Sequence, residues 1–104
     1  MARTLELGNV QVDGSKLADL CMRYRVCKLF LFGSAVRGEM RPDSDVDMLV
    51  EFSPNSGIDL VDHAGLMLDL SELVGRKVDL VSKGALKPRM VSSVFKDAQL
   101  LYAS

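Results

Sequence analysis

An apolar run, Cys27-Lys28-Leu29-Phe30-Leu31-Phe32, stops at Gly33-Ser34, and ten residues later a second apolar run opens with Asp45-Val46-Asp47. No other feature constrains the fold as much. The first run is short, aromatic-rich and closed by glycine, which reads as a buried strand rather than a helix. The second, Asp45 to Phe52, has an apolar, β-branched centre behind its acidic start and reads as another strand. Between them, residues 35 to 44 are polar, with Arg37-Gly38 and Arg41-Pro42-Asp43-Ser44, and predict a loop with room for one helical turn. In a strand, residues i and i+2 project from one face, so the carboxylates of Asp45 and Asp47 are held close together.

That placement is costly without a cation. Like charges in one site push up a pKa unless a metal or a basic partner neutralises them, and carboxylates with no Cys or His nearby suit Mg²⁺ or Mn²⁺. Asp79, in the run Lys77-Val78-Asp79-Leu80-Val81, completes a three-acid site for one or two metals if its strand lies beside the first acidic one. Gly33 lets the backbone approach a ligand, and the Ser34 hydroxyl with neighbouring N–H groups suits phosphate oxygens. Arg37 follows three residues on. A guanidinium beside carboxylate-bound metal is the partner set for a nucleoside triphosphate. Each piece alone has a plainer reading: a turn, a solvated or capping pair, a surface acid. Their joint occurrence at fixed spacing between two apolar strands makes the pattern specific.

The other elements follow from periodicity. Leu17, Leu20, Cys21 and Tyr24 predict an amphipathic helix over about 14 to 25, with Asp13 or Ser15 as N-cap. Apolar residues at 60, 61, 64, 67, 68 and 70 predict a second helix from Ile58 to Val74, ended by Gly75. Lys77 to Val81 is a third strand. Val91, Val94, Phe95, Ala98, Leu101 and Tyr102 predict a C-terminal amphipathic helix with Pro88 in its first turn, serving as cover for the sheet. Residues 3 to 12 fit no element clearly. The order is α-β-loop-β-α-β-α, an α/β (α+β) chain with a small mixed sheet of about three to four strands flanked by helices.

Size and charge set the outer limits. With 104 residues, 48% of them hydrophobic and 26% charged, residues 1–104 are expected to form a single domain. Thirteen Lys and Arg against fourteen Asp and Glu give a net charge of −1, so no basic field holds a polyanion and stable nucleic-acid binding is not expected. The apolar runs are too short to span a membrane and Met1-Ala2-Arg3-Thr4-Leu5-Glu6 is no signal peptide, which predicts a cytoplasmic protein. Cys21 and Cys27 lack CxxC spacing and His63 is the sole histidine, which argues against zinc. Both thiols are expected as reduced core residues, and His63 as a surface or cap residue with no catalytic role.

The stretch Phe32-Gly33-Ser34-Ala35-Val36-Arg37-Gly38 through Pro42-Asp43-Ser44-Asp45-Val46-Asp47-Met48-Leu49-Val50 resembles the active-site signature of the polymerase-β-type nucleotidyltransferases. In its small size the chain is similar to the minimal nucleotidyltransferases (MNT) of prokaryotes, from about residue 15 to the end. The resemblance implies that Asp45 and Asp47 bind the metals that carry the nucleotide, and that Asp79 is a third metal ligand that helps activate the attacking hydroxyl. Gly33 and Ser34 would hold the triphosphate, with Arg37 and Ser44 beside them. One departure is Ala35, where these proteins often have Arg; Arg41 is a candidate substitute. The resemblance further implies a HEPN-domain toxin as partner, with transfer of AMP from ATP to a tyrosine hydroxyl of that RNase in a Mg²⁺-dependent reaction. Two other readings stand beside it: an antitoxin that occludes its toxin without catalysis, and a transferase acting on a small molecule or an RNA end.

Overall fold

The computed structural model describes residues 4–7, 10–38, 41 and 43–104, with the side chains of residues 34, 90, 91, 93 and 94 left aside. The chain opens with an antiparallel hairpin, β1 (Thr4–Leu7) and β2 (Val10–Asp13), over the stretch whose sequence fitted no element clearly. Helix α1 (Gly14–Arg23) starts directly after it. Asp13 caps it, its Oδ1 accepting from the amides of Ser15 at 2.9 Å and Lys16 at 3.3 Å.

Strand β3 (Val26–Phe32), the short helix α2 (Ser34–Arg37) and strand β4 (Val46–Phe52) follow as predicted, the single helical turn included. Helix α3 (Leu60–Val74) begins in a capping box, where the Asp62 amide donates to Asp59 and the Asp59 amide to Asp62. It ends where Gly75, at φ 76°, takes the left-handed conformation and its N–H returns to the Ser71 carbonyl. Strand β5 (Val78–Ser82), a 3₁₀ turn at Lys83–Ala85, helix α4 (Pro88–Asp97) and strand β6 (Gln99–Ala103) complete the chain.

The four-stranded sheet has the order β5-β4-β3-β6. Its pairing is mixed: β4 runs parallel to β5, through the α3 crossover, while β3 is antiparallel to both β4 and β6. Leu29, Leu31, Val46, Met48, Val50, Val78 and Leu80 are buried with Leu17 and Cys21 of α1 and Leu66 and Leu70 of α3. Each such aliphatic side chain contributes about 1.5–3 kcal/mol by leaving water. The edge of β5 is covered by α3. The Val78 amide donates to Ser71 Oγ at 2.9 Å, and His63 Nε2 donates to the Leu80 carbonyl at 2.9 Å, which satisfies two backbone groups that would otherwise template foreign strands. His63 therefore caps a strand edge.

The C-terminal helix is shorter than its periodicity implied. It stops at Asp97, Ala98 is extended at φ −69° and ψ 139°, and Leu101 and Tyr102 belong to β6. The reason is tertiary: without β6 the apolar strand β3 would be a bare edge, and pairing Leu29 with Tyr102 and Lys28 with Ala103 satisfies it. Of the residues expected to cover the sheet, Phe95 does so, meeting Phe30 edge-on at 4.8 Å between centroids. The side chains of Val91 and Val94 lie outside the described residues. Both cysteines are free, Cys21 fully buried and Cys27 half-buried. No helix among the described residues is long and apolar enough to cross a membrane.

Candidate active site

Alternation along β4 and β5 decides which side chains leave the core. Val46, Met48, Val78 and Leu80 are buried, so the intervening Asp47 and Asp79 face the opposite side of the sheet. The parallel register sets Asp47 directly opposite Asp79. Asp45 precedes β4 by one residue and, two before Asp47, joins the same side. The adjacency of the third acid, conditional in the sequence, is a fact of the pairing.

Gly33 closes the other flank. Phe32 is the partner of Asp47 across β3 and β4, and the chain must turn immediately after it. Gly33 does so at φ 78°, and its carbonyl accepts the amides of Val36 and Arg37, both at 3.2 Å, which starts α2. A Cβ built on Gly33 would overlap Asp47 Oδ2 and lie 3.2 Å from Cγ. The absence of a side chain at residue 33 is what gives the carboxylate its place. Ala35, at the position where the resemblance marks a departure from Arg, is 6% exposed and packs with the core.

Burial pushes the Asp47 carboxyl above the usual carboxylate range, the charges of Asp79 and Asp45 push it the same way, and Arg37 counters them. The acids therefore feel one another, and the Arg37 charge reaches the site from the exposed end of α2. Lys77 is the other cation, with Nζ 3.9 Å from Asp45 Oδ2. In the sequence Lys77 only opens the run to Val81, and its spacing two residues before Asp79 is the one signal that it shares that residue's side. Ser44, placed among nucleotide-binding residues from the sequence, holds the loop: its Oγ accepts the Arg41 amide at 2.8 Å, while Arg76 Nη1 donates to the Arg41 carbonyl at 2.8 Å. Arg41, the candidate substitute for the missing Arg, is pinned through its backbone with its side chain exposed. The Ser34 side chain lies outside the described residues.

Among the described residues no group of three or more Asp, Glu, His or Cys side chains is placed to hold a metal ion. Mg²⁺ does not require such a group. It commonly takes one or two protein carboxylates and completes its shell with water and substrate phosphates. Carboxylate oxygens whose charges reach one another, without Cys or His, are of the chemical kind that fits that mode of binding. The groove between α1 and α3, lined by Lys16, Asp19, Arg23, Asp69 and Glu72, contains none of these acids.

An acidic pair at the start of one strand, a third acid in register beside it and a glycine turn against Asp47 lie on one side of a small mixed sheet flanked by helices. The chain belongs to the nucleotidyltransferase domain family, whose model matches residues 16–101. Protein adenylyltransferase MntA of Thermococcus cleftensis is 39% identical over 79 residues, 76% of this chain and 78% of the relative. A solved structure assigned as a minimal nucleotidyltransferase superposes with a TM-score of 0.72 at 42% identity, covering 83% of this chain and 86% of that one. Within the family, this chain is thus one of the minimal nucleotidyltransferases. The complex of tri-AMPylated Shewanella oneidensis HEPN toxin with MNT antitoxin, at 19% identity, superposes with a TM-score of 0.64 over 88% of this chain and 70% of that one, a likeness of fold.

Proposed function

We propose that this nucleotidyltransferase is an antitoxin that transfers AMP from ATP to a tyrosine hydroxyl of a HEPN RNase toxin and so neutralises it. The observation that carries the reading is the register of Asp47 beside Asp79, with Gly33 set against Asp47. The name of the Thermococcus cleftensis relative supports protein adenylylation as the activity, and the solved HEPN–MNT complex supports the class of partner.

In the proposed reaction Asp45 and Asp47 would hold Mg²⁺, with Asp79 as a further carboxylate beside them. When bound, the ion neutralises phosphate charge and stabilises the attacking and leaving oxygens. Gly33 and Ser34 present the turn against which the triphosphate lies, and Arg37 offsets its charge. Asp79, exposed on β5, receives the proton of the incoming hydroxyl. A bond forms from that oxygen to the α-phosphorus, the bond from the α-phosphorus to the bridging oxygen breaks, and pyrophosphate departs.

The test is incubation with Mg²⁺, α-labelled ATP and a HEPN protein of the same genome, beside Asp45→Asn/Asp47→Asn. Label on the HEPN protein that is absent with the double variant, and mapped to tyrosine by mass spectrometry, supports the reading. A stable complex that never takes label makes the protein an occluding antitoxin.

A further inference from the structure

Lys77 is anchored to the acid strand through its backbone, its carbonyl accepting the Val46 amide at 2.9 Å. Its ammonium lies 3.9 Å from Asp45 Oδ2 while the side chain stays 76% exposed. A pair so open adds little to stability, so stability does not explain the placement. Charge does. Three carboxylates share this face, and Lys77, the residue just before β5, places its ammonium beside Asp45, two residues ahead of Asp79.

A divalent cation on Asp45 repels an ammonium at that distance, and a triphosphate arriving with the cation offers a new negative partner within reach of the flexible lysine stem. We propose that Lys77 is the exchangeable counter-ion of the acid site, paired with Asp45 while no divalent cation is bound and handed to the nucleotide's phosphates when a cation takes Asp45. The proposal rests on the reading of Asp45 as a cation ligand and of a nucleoside triphosphate as substrate. It adds a phosphate-contacting residue from the turn just before β5, on the other flank of β4 from α2 and Arg37.

The experiment measures binding instead of turnover. Mn²⁺ affinity is read by electron paramagnetic resonance of the free ion, alone and with α,β-methylene ATP, for the unaltered protein, Lys77→Met, Lys77→Arg and Asp45→Asn. Lys77→Met is expected to bind Mn²⁺ alone about three- to tenfold more tightly, because a competing charge is gone, and the Mn²⁺–nucleotide pair about tenfold more weakly. Lys77→Arg should restore nucleotide affinity. Melting temperatures confirm that the variants fold. Unchanged nucleotide affinity in Lys77→Met overturns the proposal; so does weaker Mn²⁺ binding alone, which would make Lys77 a residue that merely positions Asp45. If the unaltered protein binds the Mn²⁺–nucleotide pair no better than Asp45→Asn does, the assignment of the acid site fails, and this proposal with it.

Discussion

Gly33 and the carboxylate of Asp47 compete for one space: a Cβ on Gly33 would overlap Asp47 Oδ2 and sit 3.3 Å from the Asp47 Cβ. Gly33→Ala therefore carries two penalties. The left-handed conformation at φ 78° strains any L-residue by about 1–2 kcal/mol, and the added methyl displaces the acid. The expected result is a melting temperature lowered by several degrees with label transfer lost. A variant that melts lower yet transfers normally would show that Asp47 does not need its position against the turn.

Asp47 also bears the electrostatic cost of the site. Burial and the charges of Asp79 and Asp45 disfavour its ionised form. Asp47→Asn removes that repulsion at nearly constant shape, so without divalent cation the variant should melt at or above the unaltered protein while transferring no label. Thermal melts in EDTA, paired with the labelling assay, check both halves. A marked drop in melting temperature would mean that Asp47 holds the fold.

The thiol of Cys21 yields a pH prediction of definite sign. Burial pushes it from 9.0 up to about 12, so the unfolded chain loses this proton before the folded one does. Stability is then unaffected below about pH 9 and falls between that value and 12, by up to about 1.4 kcal/mol per pH unit. Melting curves from pH 8 to 10.5 should decline less steeply for Cys21→Ala than for the unaltered protein. At pH 8 a maleimide should label half-buried Cys27 well before Cys21. Equal labelling rates in the folded protein would contradict this.

Removal of residues 99–104 should be far more damaging than trimming one turn of helix. It strips β6 from β3 and leaves an apolar strand with an open edge. The expected product is insoluble or lacks a cooperative thermal transition by circular dichroism. A soluble, cooperatively folding truncation would mean that β3 tolerates its bare edge.

The acid site divides cleanly into parts that the sequence could and could not reveal. Gly33, Asp45 and Asp47 were legible because their relationship is local: an apolar strand ending in glycine, a loop, and two acids at strand spacing. Asp79 was legible as a candidate only, since its place depends on which strand β5 pairs with and in what register. Ala35 is a departure that the sequence marks, and the structure adds that its methyl packs in the core. Ser44 holds a local turn through the Arg41 amide, whereas the place of Lys77 beside Asp45 arises from a contact between segments and is not written in the spacing.

The sequence by itself determined the helices α1 and α3 with their caps, the strands β3, β4 and β5, and the chemistry of the acidic pair, since periodicity, capping and turn residues act over a few neighbouring positions. Tertiary structure alone decided that Gln99–Ala103 is a strand, that Asp79 lies opposite Asp47, and that the Lys77 ammonium lies beside Asp45. In each case the deciding free energy lies in hydrogen bonds, burial or charge shared between distant segments, and no local pattern encodes such a term.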